Sequence, residues 1–229
     1  MRCQLEKGIL YIVATPIGNL EDISFRAVET LKTVDVVACE DTRRTGKLLN
    51  HYDIHTKMTP YHDHNKEHKT PFLIDMLKNG KSIGLVSDAG TPSISDPGFY
   101  LIREAIKNEL QISPIPGPSA LISAAIVSGL SINRFSFEGY LPRKKGRTKR
   151  LKQLAEYDVT IVIFEGPHRI LKTLRDLRDF LGDRKAAIGR EMTKLNEEFL
   201  RGNLSDLIAI FAERKPKGEF VIIVERNEK

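Results

Sequence analysis

One stretch of this chain combines small residues, turn formers and carboxylates directly after an apolar run. Residues 83–86 are largely apolar, and Ser87-Asp88-Ala89-Gly90-Thr91-Pro92 follows, with further Asp, Pro and Gly residues up to position 98. Small side chains let a ligand approach the backbone closely, and carboxylates can accept hydrogen bonds from hydroxyl groups or balance a cation. Residues 86–98 are therefore a candidate ligand loop, although an ordinary strand-to-helix connection has similar turn chemistry.

A second group of reactive side chains follows another apolar run. Phe164-Glu165-Gly166-Pro167-His168-Arg169 supplies a carboxylate, an imidazole and a guanidinium at the expected end of a strand. A cation at the start of a helix is mildly disfavoured by the helix dipole. His168 and Arg169 therefore indicate an anion nearby, or a fully solvated position, which explains them almost as well.

A third group is a run of positive charge between residues 143 and 150. Six of these eight residues are basic, namely Arg143, Lys144, Lys145, Arg147, Lys149 and Arg150. The whole chain has a net charge of +6 and a pI of about 9.2. The run predicts a polyanionic partner, with nucleic acid ahead of a membrane surface. A solvated basic surface is the alternative.

Five of the six histidines lie between residues 51 and 68. They are His51, His55, His62, His64 and His68. The spacing allows a metal pair at His62 and His64, but no Cys or Glu with zinc-like spacing joins them. We favour a partner-facing surface whose rings stack on unpaired bases, and we expect no metal.

Strand and helix patterns alternate through the first half of the chain, which predicts a parallel α/β sheet. The second half has strands with short links and predicts a mixed sheet. The stiff segment Pro114-Ile115-Pro116-Gly117-Pro118-Ser119 separates the halves. We therefore place an N-terminal α/β domain at residues 1–115 and a C-terminal α/β domain at 119–229. Ligands of open parallel sheets bind beyond the carboxyl ends of strands, where the candidate ligand loop falls.

Common motifs and compartment signals narrow the function further. The sequence has no G-x-x-x-x-G-K-[ST], no G-x-G-x-x-G and no G-x-S-x-G, so the ordinary nucleotide-binding and hydrolase sites are excluded. Cys3 and Cys39 make no disulfide framework, so a reducing cytoplasm is the expected location. The apolar runs fall far below the about 20 residues that span a bilayer.

Six motifs in order along the chain resemble one known family. They are Val13-Ala14-Thr15-Pro16-Ile17-Gly18-Asn19-Leu20-Glu21-Asp22, Cys39-Glu40-Asp41-Thr42-Arg43-Arg44-Thr45, Tyr61-His62-Asp63-His64-Asn65, residues 86–97, Pro116-Gly117-Pro118-Ser119-Ala120 and residues 164–169. The family is the bacterial 16S ribosomal RNA cytidine 2′-O-methyltransferase I family, of the tetrapyrrole methylase superfamily. The resemblance covers nearly the whole chain. One departure is Gly166, where relatives often carry Ser.

The resemblance implies two α/β domains with S-adenosylmethionine bound in the cleft between them, and a cytoplasmic homodimer that needs no metal. The implied substrate is a decoding-centre cytidine of 16S rRNA, within the small ribosomal subunit. The residues that match the family's cofactor motifs are Pro16, Asp88, Ala89, Gly90, Ile94, Ser119, Ala120, Phe164 and Gly218. The residues implied to hold RNA are Arg43, Arg44, His62, His64, His168, Arg169 and the six basic residues of 143–150.

A ribose hydroxyl must lose a proton as it attacks a methyl group. The candidates for the general base are Asp41, Glu165, His168 and Glu191, and we favour Glu165 because it ends a strand at the implied cleft. Two other functions stay open. A tetrapyrrole-precursor methyltransferase would also bind a polyanion, and a noncatalytic RNA-binding module would not need the candidate ligand loop.

Overall fold

The computed structural model describes residues 8–94 and 98–227, in two compact units, Met1–Ser119 and Ala120–Lys229. Three residues of the candidate ligand loop, Ser95, Asp96 and Pro97, lie outside the described residues, as does Cys3. Within the described part of the chain, no helix combines the length and apolar character needed to cross a bilayer.

The first unit contains a five-stranded sheet in the order β3-β2-β4-β1-β5, and all its strand pairs are parallel. The predicted parallel sheet is therefore confirmed. Its strands are β1 (Ile9–Val13), β2 (Val36–Cys39), β3 (Met58–Pro60), β4 (Ile83–Val86) and β5 (Gln111–Ile115). Its helices are α1 (Phe25–Thr33), α2 (Thr42–His51), α3 (Lys66–Lys78) and α4 (Gly98–Lys107).

Both faces of the first sheet are buried, which explains why its strands read as continuous apolar runs. Leu10 of β1 belongs to one core cluster and Val13 to the other. Gly84 in β4 lets α1 pack closely, since a Cβ there would lie 3.3 Å from a methyl group of Leu31.

The second unit contains a mixed sheet in the order β6-β7-β10-β8-β9, as predicted. Only the β6–β7 pair is parallel among its described strands. The strands are β6 (Phe135–Tyr140), β7 (Thr160–Glu165), β8 (Lys185–Arg190), β9 (Glu198–Asn203) and β10 (Phe220–Val224). The helices are α5 (Ala120–Val127), α6 (Arg147–Ala155), α7 (Ile170–Leu181) and α8 (Leu204–Glu213). One core cluster joins this sheet to α6, α7 and α8.

A capping hydroxyl and a left-handed glycine precede the starts of two helices. The Ser24 hydroxyl accepts a hydrogen bond from the Ala27 backbone N–H at 3.1 Å, so α1 begins at Phe25 after a short 3₁₀ turn, Leu20–Asp22. Gly146 adopts the left-handed conformation, with φ of 84°, and α6 begins at Arg147. Arg147 to Arg150 therefore belong to a helix, whereas Arg143 to Lys145 precede it.

Candidate active site and nucleic-acid interface

The backbone of the candidate ligand loop is held by hydrogen bonds beyond the carboxyl ends of β1 and β4. Thr15 and Gly90 form an isolated antiparallel bridge, and both of its N–H···O distances are 2.9 Å. The Thr15 hydroxyl donates to the Ser87 carbonyl at 3.3 Å, and the Ser87 hydroxyl donates to the Gly90 carbonyl at 3.3 Å. The turn is thus fixed by its own polar groups before any ligand binds.

Glycine at position 90 is favoured by its backbone conformation and by a close neighbour. Its φ is 81°, and an added Cβ would lie 3.3 Å from a methyl group of Ile17. The next residue, Thr91, donates its hydroxyl to the Pro118 carbonyl at 3.1 Å, and this ties the loop to the proline-rich segment. Gly117 in that segment packs against Ala14, whose Cβ lies 3.1 Å from the place of an added Cβ.

Asp88 connects the loop to the start of α2. One carboxylate oxygen accepts from the Asp41 backbone N–H at 3.0 Å, and the other lies 3.3 Å from a guanidinium nitrogen of Arg44. Asp41 itself caps α2 by accepting from the Arg43 backbone N–H at 2.8 Å. Hydrogen bonds from the side chain and backbone of Arg43 hold the pKa of Asp41 well below its usual range, so Asp41 is a weak base.

A cavity of about 240 Å³ lies beside this turn, within the first unit. Pro16, Ser87 and Asp88 form part of its wall. Of the other predicted cofactor residues in this unit, Gly90 is buried, Ile94 and Ser119 are half-buried and Ala89 is exposed. The structure thus brings Pro16 and Asp88, far apart in sequence, to one cavity. Ala120 opens α5 in the second unit.

Glu165 ends β7 as a fully buried carboxylate, since 0% of its side chain is exposed. Its oxygens accept from the Thr173 hydroxyl at 2.6 Å and from the Gly166 backbone N–H at 2.9 Å. The Arg169 guanidinium lies 3.2 Å away and also donates to the Leu141 carbonyl. A proton acceptor at this position would therefore have to give up one of these donors, and the choice of Glu165 stays a prediction.

Arg147, predicted to contact RNA, is instead buried in the second unit. Its guanidinium donates to the Asp176 carboxylate at 2.7 Å, to the Thr173 hydroxyl at 2.9 Å and to the Pro142 carbonyl at 3.1 Å. These three contacts use the guanidinium to connect α6 with α7 and with the end of β6. Sequence alone placed Arg147 with its solvated neighbours because its partner lies 29 positions away.

A larger cavity, of about 480 Å³, lies within the second unit. It is lined by both acid-base candidates of the 164–169 segment, Glu165 and His168, and by basic side chains. Those basic side chains are Arg143, Arg147, Arg169 and Lys172. Lys172 was not predicted from the sequence; it lies in the first turn of α7, four residues after His168, which precedes that helix.

Glu191 and Gly218 meet at the same end of the second sheet as Glu165, since Phe220 at the start of β10 pairs with both Glu165 and Arg190. The Glu191 carboxylate accepts from the Glu219 backbone N–H at 2.9 Å and from Lys194 at 3.0 Å. Burial opposes its ionisation, but these hydrogen bonds outweigh burial and hold the pKa of Glu191 below its ordinary value. Gly218 has a φ of 92°, and an added Cβ would lie 2.4 Å from Cγ of Glu191. The predicted cofactor residue Gly218 therefore allows this carboxylate to approach.

Phe164, a predicted cofactor residue, is partly accessible, and most of the remaining RNA candidates lie at the surface. Phe164 is half-buried and packs edge-to-face on Phe137. The exposed basic candidates are Arg43, Arg44, Arg143, Lys144, Lys145 and Lys149. Arg150 is ion-paired with Glu138.

The histidine cluster does not converge on one point. The rings of His62 and His64 are 6.0 Å apart, and His55 pairs with Asp53. The described residues, 8–94 and 98–227, contain no group of three or more His, Cys, Asp or Glu placed to hold a metal ion.

Residues 9–208 match the family Tetrapyrrole (Corrin/Porphyrin) Methylases. A solved structure of a cobalamin biosynthetic enzyme, cobalt precorrin-4 methyltransferase, superposes with a TM-score of 0.70 at 18% identity, over 95% of this chain and 94% of that one. This likeness shows the fold, which is the tetrapyrrole methylase fold.

Two relatives are far more similar in sequence, and both are named "Ribosomal RNA small subunit methyltransferase I". The protein from Synechocystis is 52% identical over 95% of this chain and 78% of its own length. The protein from Thermotoga maritima is 47% identical over 96% of this chain and 100% of its own length. The chain therefore belongs to the tetrapyrrole methylase family and, within it, to the ribosomal RNA small subunit methyltransferase I family.

Proposed function

We propose that this protein transfers a methyl group from S-adenosylmethionine to the ribose 2′-hydroxyl of a decoding-centre cytidine in small-subunit rRNA. The observation that carries the proposal is the identity of 47–52% with the two relatives, over at least 95% of this chain. Their names state an activity on small-subunit rRNA; the ribose position, the cytidine and the cofactor are ours to propose.

Two features of the first unit support the proposed cofactor site. S-adenosylmethionine supplies an electrophilic methyl group on a positively charged sulfur. Gly90 leaves room where any Cβ would crowd Ile17, and Asp88 offers a partly exposed carboxylate beside the same cavity. We propose that Pro16, Asp88, Ala89, Gly90, Ile94, Ser119 and Ala120 hold the cofactor, together with Phe164 and Gly218.

Two groups that line the 480 Å³ cavity compete for the role of proton acceptor. Glu165, our choice, is buried and accepts three hydrogen bonds or ion-pair contacts, whereas His168 is exposed. Asp41 and Glu191 are weaker candidates because their neighbours lower the pKa of each. If Glu165 accepts the proton, Glu165→Gln loses turnover while its cofactor affinity stays native. If His168 does, His168→Gln loses turnover instead, whereas Glu165→Gln keeps it.

The proposed RNA contacts are the exposed cations near both cavities, together with His62 and His64. We also propose that the protein acts as a cytoplasmic homodimer on RNA inside the small ribosomal subunit. Sedimentation equilibrium tests the dimer.

Labelled S-adenosylmethionine tests the proposed function. The purified protein is incubated with small subunits from cells that lack the modification, with protein-free small-subunit rRNA, and with a tetrapyrrole precursor. We expect label in the RNA of the subunits. Label in the tetrapyrrole, or in none of the three, would contradict the proposal.

A further inference from the structure

The 480 Å³ cavity of the second unit carries positive charge that the protein does not neutralise. Two of its cations are used internally, since Arg147 pairs with Asp176 and Arg169 pairs with Glu165. Two other cations, Arg143 and Lys172, line the same cavity beside the imidazole ring of His168. Within residues 8–94 and 98–227, no acidic side chain forms an ion pair with Arg143 or Lys172. The cavity therefore favours an anion.

The carboxylate in the wall of this cavity does not cancel that charge. Glu165 is 0% exposed and accepts from Thr173, Gly166 and Arg169. Donors of the protein itself already balance the negative charge of Glu165, so this carboxylate does not neutralise the other cations of the cavity. Arg143 and Lys172 are both exposed, so an incoming anion can reach them.

The same cavity has an aromatic wall. Tyr140 is 54% exposed, and its ring packs edge-to-face on Phe164 at 5.9 Å. The volume falls in the about 300–1,000 Å³ range of small-ligand sites. A ring beside several cations suits a nucleotide, whose base stacks on the ring while its phosphate meets the cations.

We propose that this cavity binds a phosphodiester group of RNA through Arg143 and Lys172, with the adjoining base stacked on Tyr140. The cavity is then a substrate subsite, in which the cations outside the internal ion pairs bind the RNA. That the bound RNA is small-subunit rRNA rests on the proposed function, whereas phosphodiester binding does not.

Charge reversal on α7 tests the subsite. Lys172→Glu is compared with Arg175→Glu, its neighbour one turn along, which is exposed and does not line the cavity. Binding of a short fluorescent single-stranded RNA is measured at several salt concentrations. We expect Lys172→Glu to weaken binding on the order of tenfold and to flatten the log-log salt slope by about 0.7, the value for one lost phosphate contact. Equal effects of the two substitutions, or none from Lys172→Glu, would overturn the proposal.

Two further measurements locate the effect. Tyr140→Leu should weaken RNA binding without changing the salt slope, and a changed slope would contradict a stacking role.

Inorganic phosphate should shift the His168 ring proton signals in the wild type and not in an Arg143→Glu, Lys172→Glu double variant; unchanged signals in the wild type would overturn phosphate binding. S-adenosylmethionine calorimetry on the wild type keeps the two proposals separate, because absent cofactor binding sinks the proposed function alone.

Discussion

The two cavities are built by different means. The wall of the smaller one, in the first unit, includes Thr15, whose backbone is hydrogen-bonded to Gly90, a glycine whose positive φ makes a larger residue strained. The wall of the larger one, in the second unit, depends on charged side chains that neutralise one another, above all Glu165 with Arg169 and Arg147 with Asp176. The backbone thus sets the shape of the smaller cavity, and the ion pairs set the net charge of the larger one.

This difference suits two different ligands. A small cofactor is recognised by close approach to a rigid backbone, for which size and dihedral angles decide the outcome. A polyanion is recognised by cations left over after internal pairing. Substitutions that change size should therefore damage the first wall, and substitutions that change charge should damage the second.

Removing the buried carboxylate should have the largest effect. Glu165→Ala leaves Arg169 and the Thr173 hydroxyl without their acceptor, so we expect the free energy of unfolding to fall by about 4 kcal/mol. Urea denaturation measures this fall. The control is Glu156→Ala, an exposed residue at the end of α6, for which we expect a change below about 0.5 kcal/mol. Equal midpoints for the two variants would show that the charge pair does not stabilise the second unit.

Adding one methyl group at Gly218 should have the next largest effect on stability. Gly218→Ala combines a φ of 92° with a Cβ only 2.4 Å from Glu191, and we expect a loss of about 3 kcal/mol. Gly146→Ala has a similar φ of 84° with nothing within 4 Å, so it should lose about 1 kcal/mol. Thermal denaturation of the two variants separates the cost of crowding from the cost of backbone strain. Identical losses of stability would mean that Glu191 moves away from the added methyl group without cost.

The carboxylate beside the smaller cavity should control cofactor affinity. Asp88→Ala removes the acceptor of the Asp41 N–H and the counter-charge of Arg44, so we expect S-adenosylmethionine to bind about a hundredfold more weakly, or about 2.7 kcal/mol. Calorimetry measures the affinity, with Asp75→Ala on the exposed side of α3 as the matched control. Native affinity in Asp88→Ala would refute the role given to the loop.

The smallest effect should be a change in acid sensitivity. Because the folded pKa of Glu191 lies below the ordinary value of 4.5, its contribution to stability is present above 4.5 and is lost as the pH falls through the lowered pKa. Lys194→Met removes one of its partners, so the difference in stability between neutral and acidic solution should shrink, by less than about 1 kcal/mol. Lys215→Met, an exposed lysine, should leave that difference unchanged.

Local patterns predicted the elements of both units, but pairs far apart in sequence escaped prediction. The apolar run at β4 and the turn residues after it located the candidate ligand loop, because strand ends and turns are set by neighbouring residues. Arg147 reads as one more solvated cation until Asp176 is brought beside it. The apolar spacing of Ile23, Ala27 and Leu31 predicts a helix that starts before Phe25, whereas α1 begins at Phe25 because the Ser24 side chain caps it.

The second cavity shows the same limit. The motif at residues 164–169 indicated an anion site, but Tyr140, Arg143 and Lys172 join it only through the packing of β6 and α7 around β7. His168 and Lys172 lie four residues apart in the sequence, whereas nothing local relates either to Tyr140. Site residues that are close in sequence can thus be predicted together, and those from distant elements require the fold.

The chemical identity of the methylated nucleoside tests the central claim most directly. Small-subunit rRNA that has reacted with this protein and S-adenosylmethionine is digested to nucleosides and examined by mass spectrometry. We predict a single new product, a cytidine that carries its methyl group on the ribose. A methyl group on the base, or on any nucleoside other than cytidine, would contradict the proposed function.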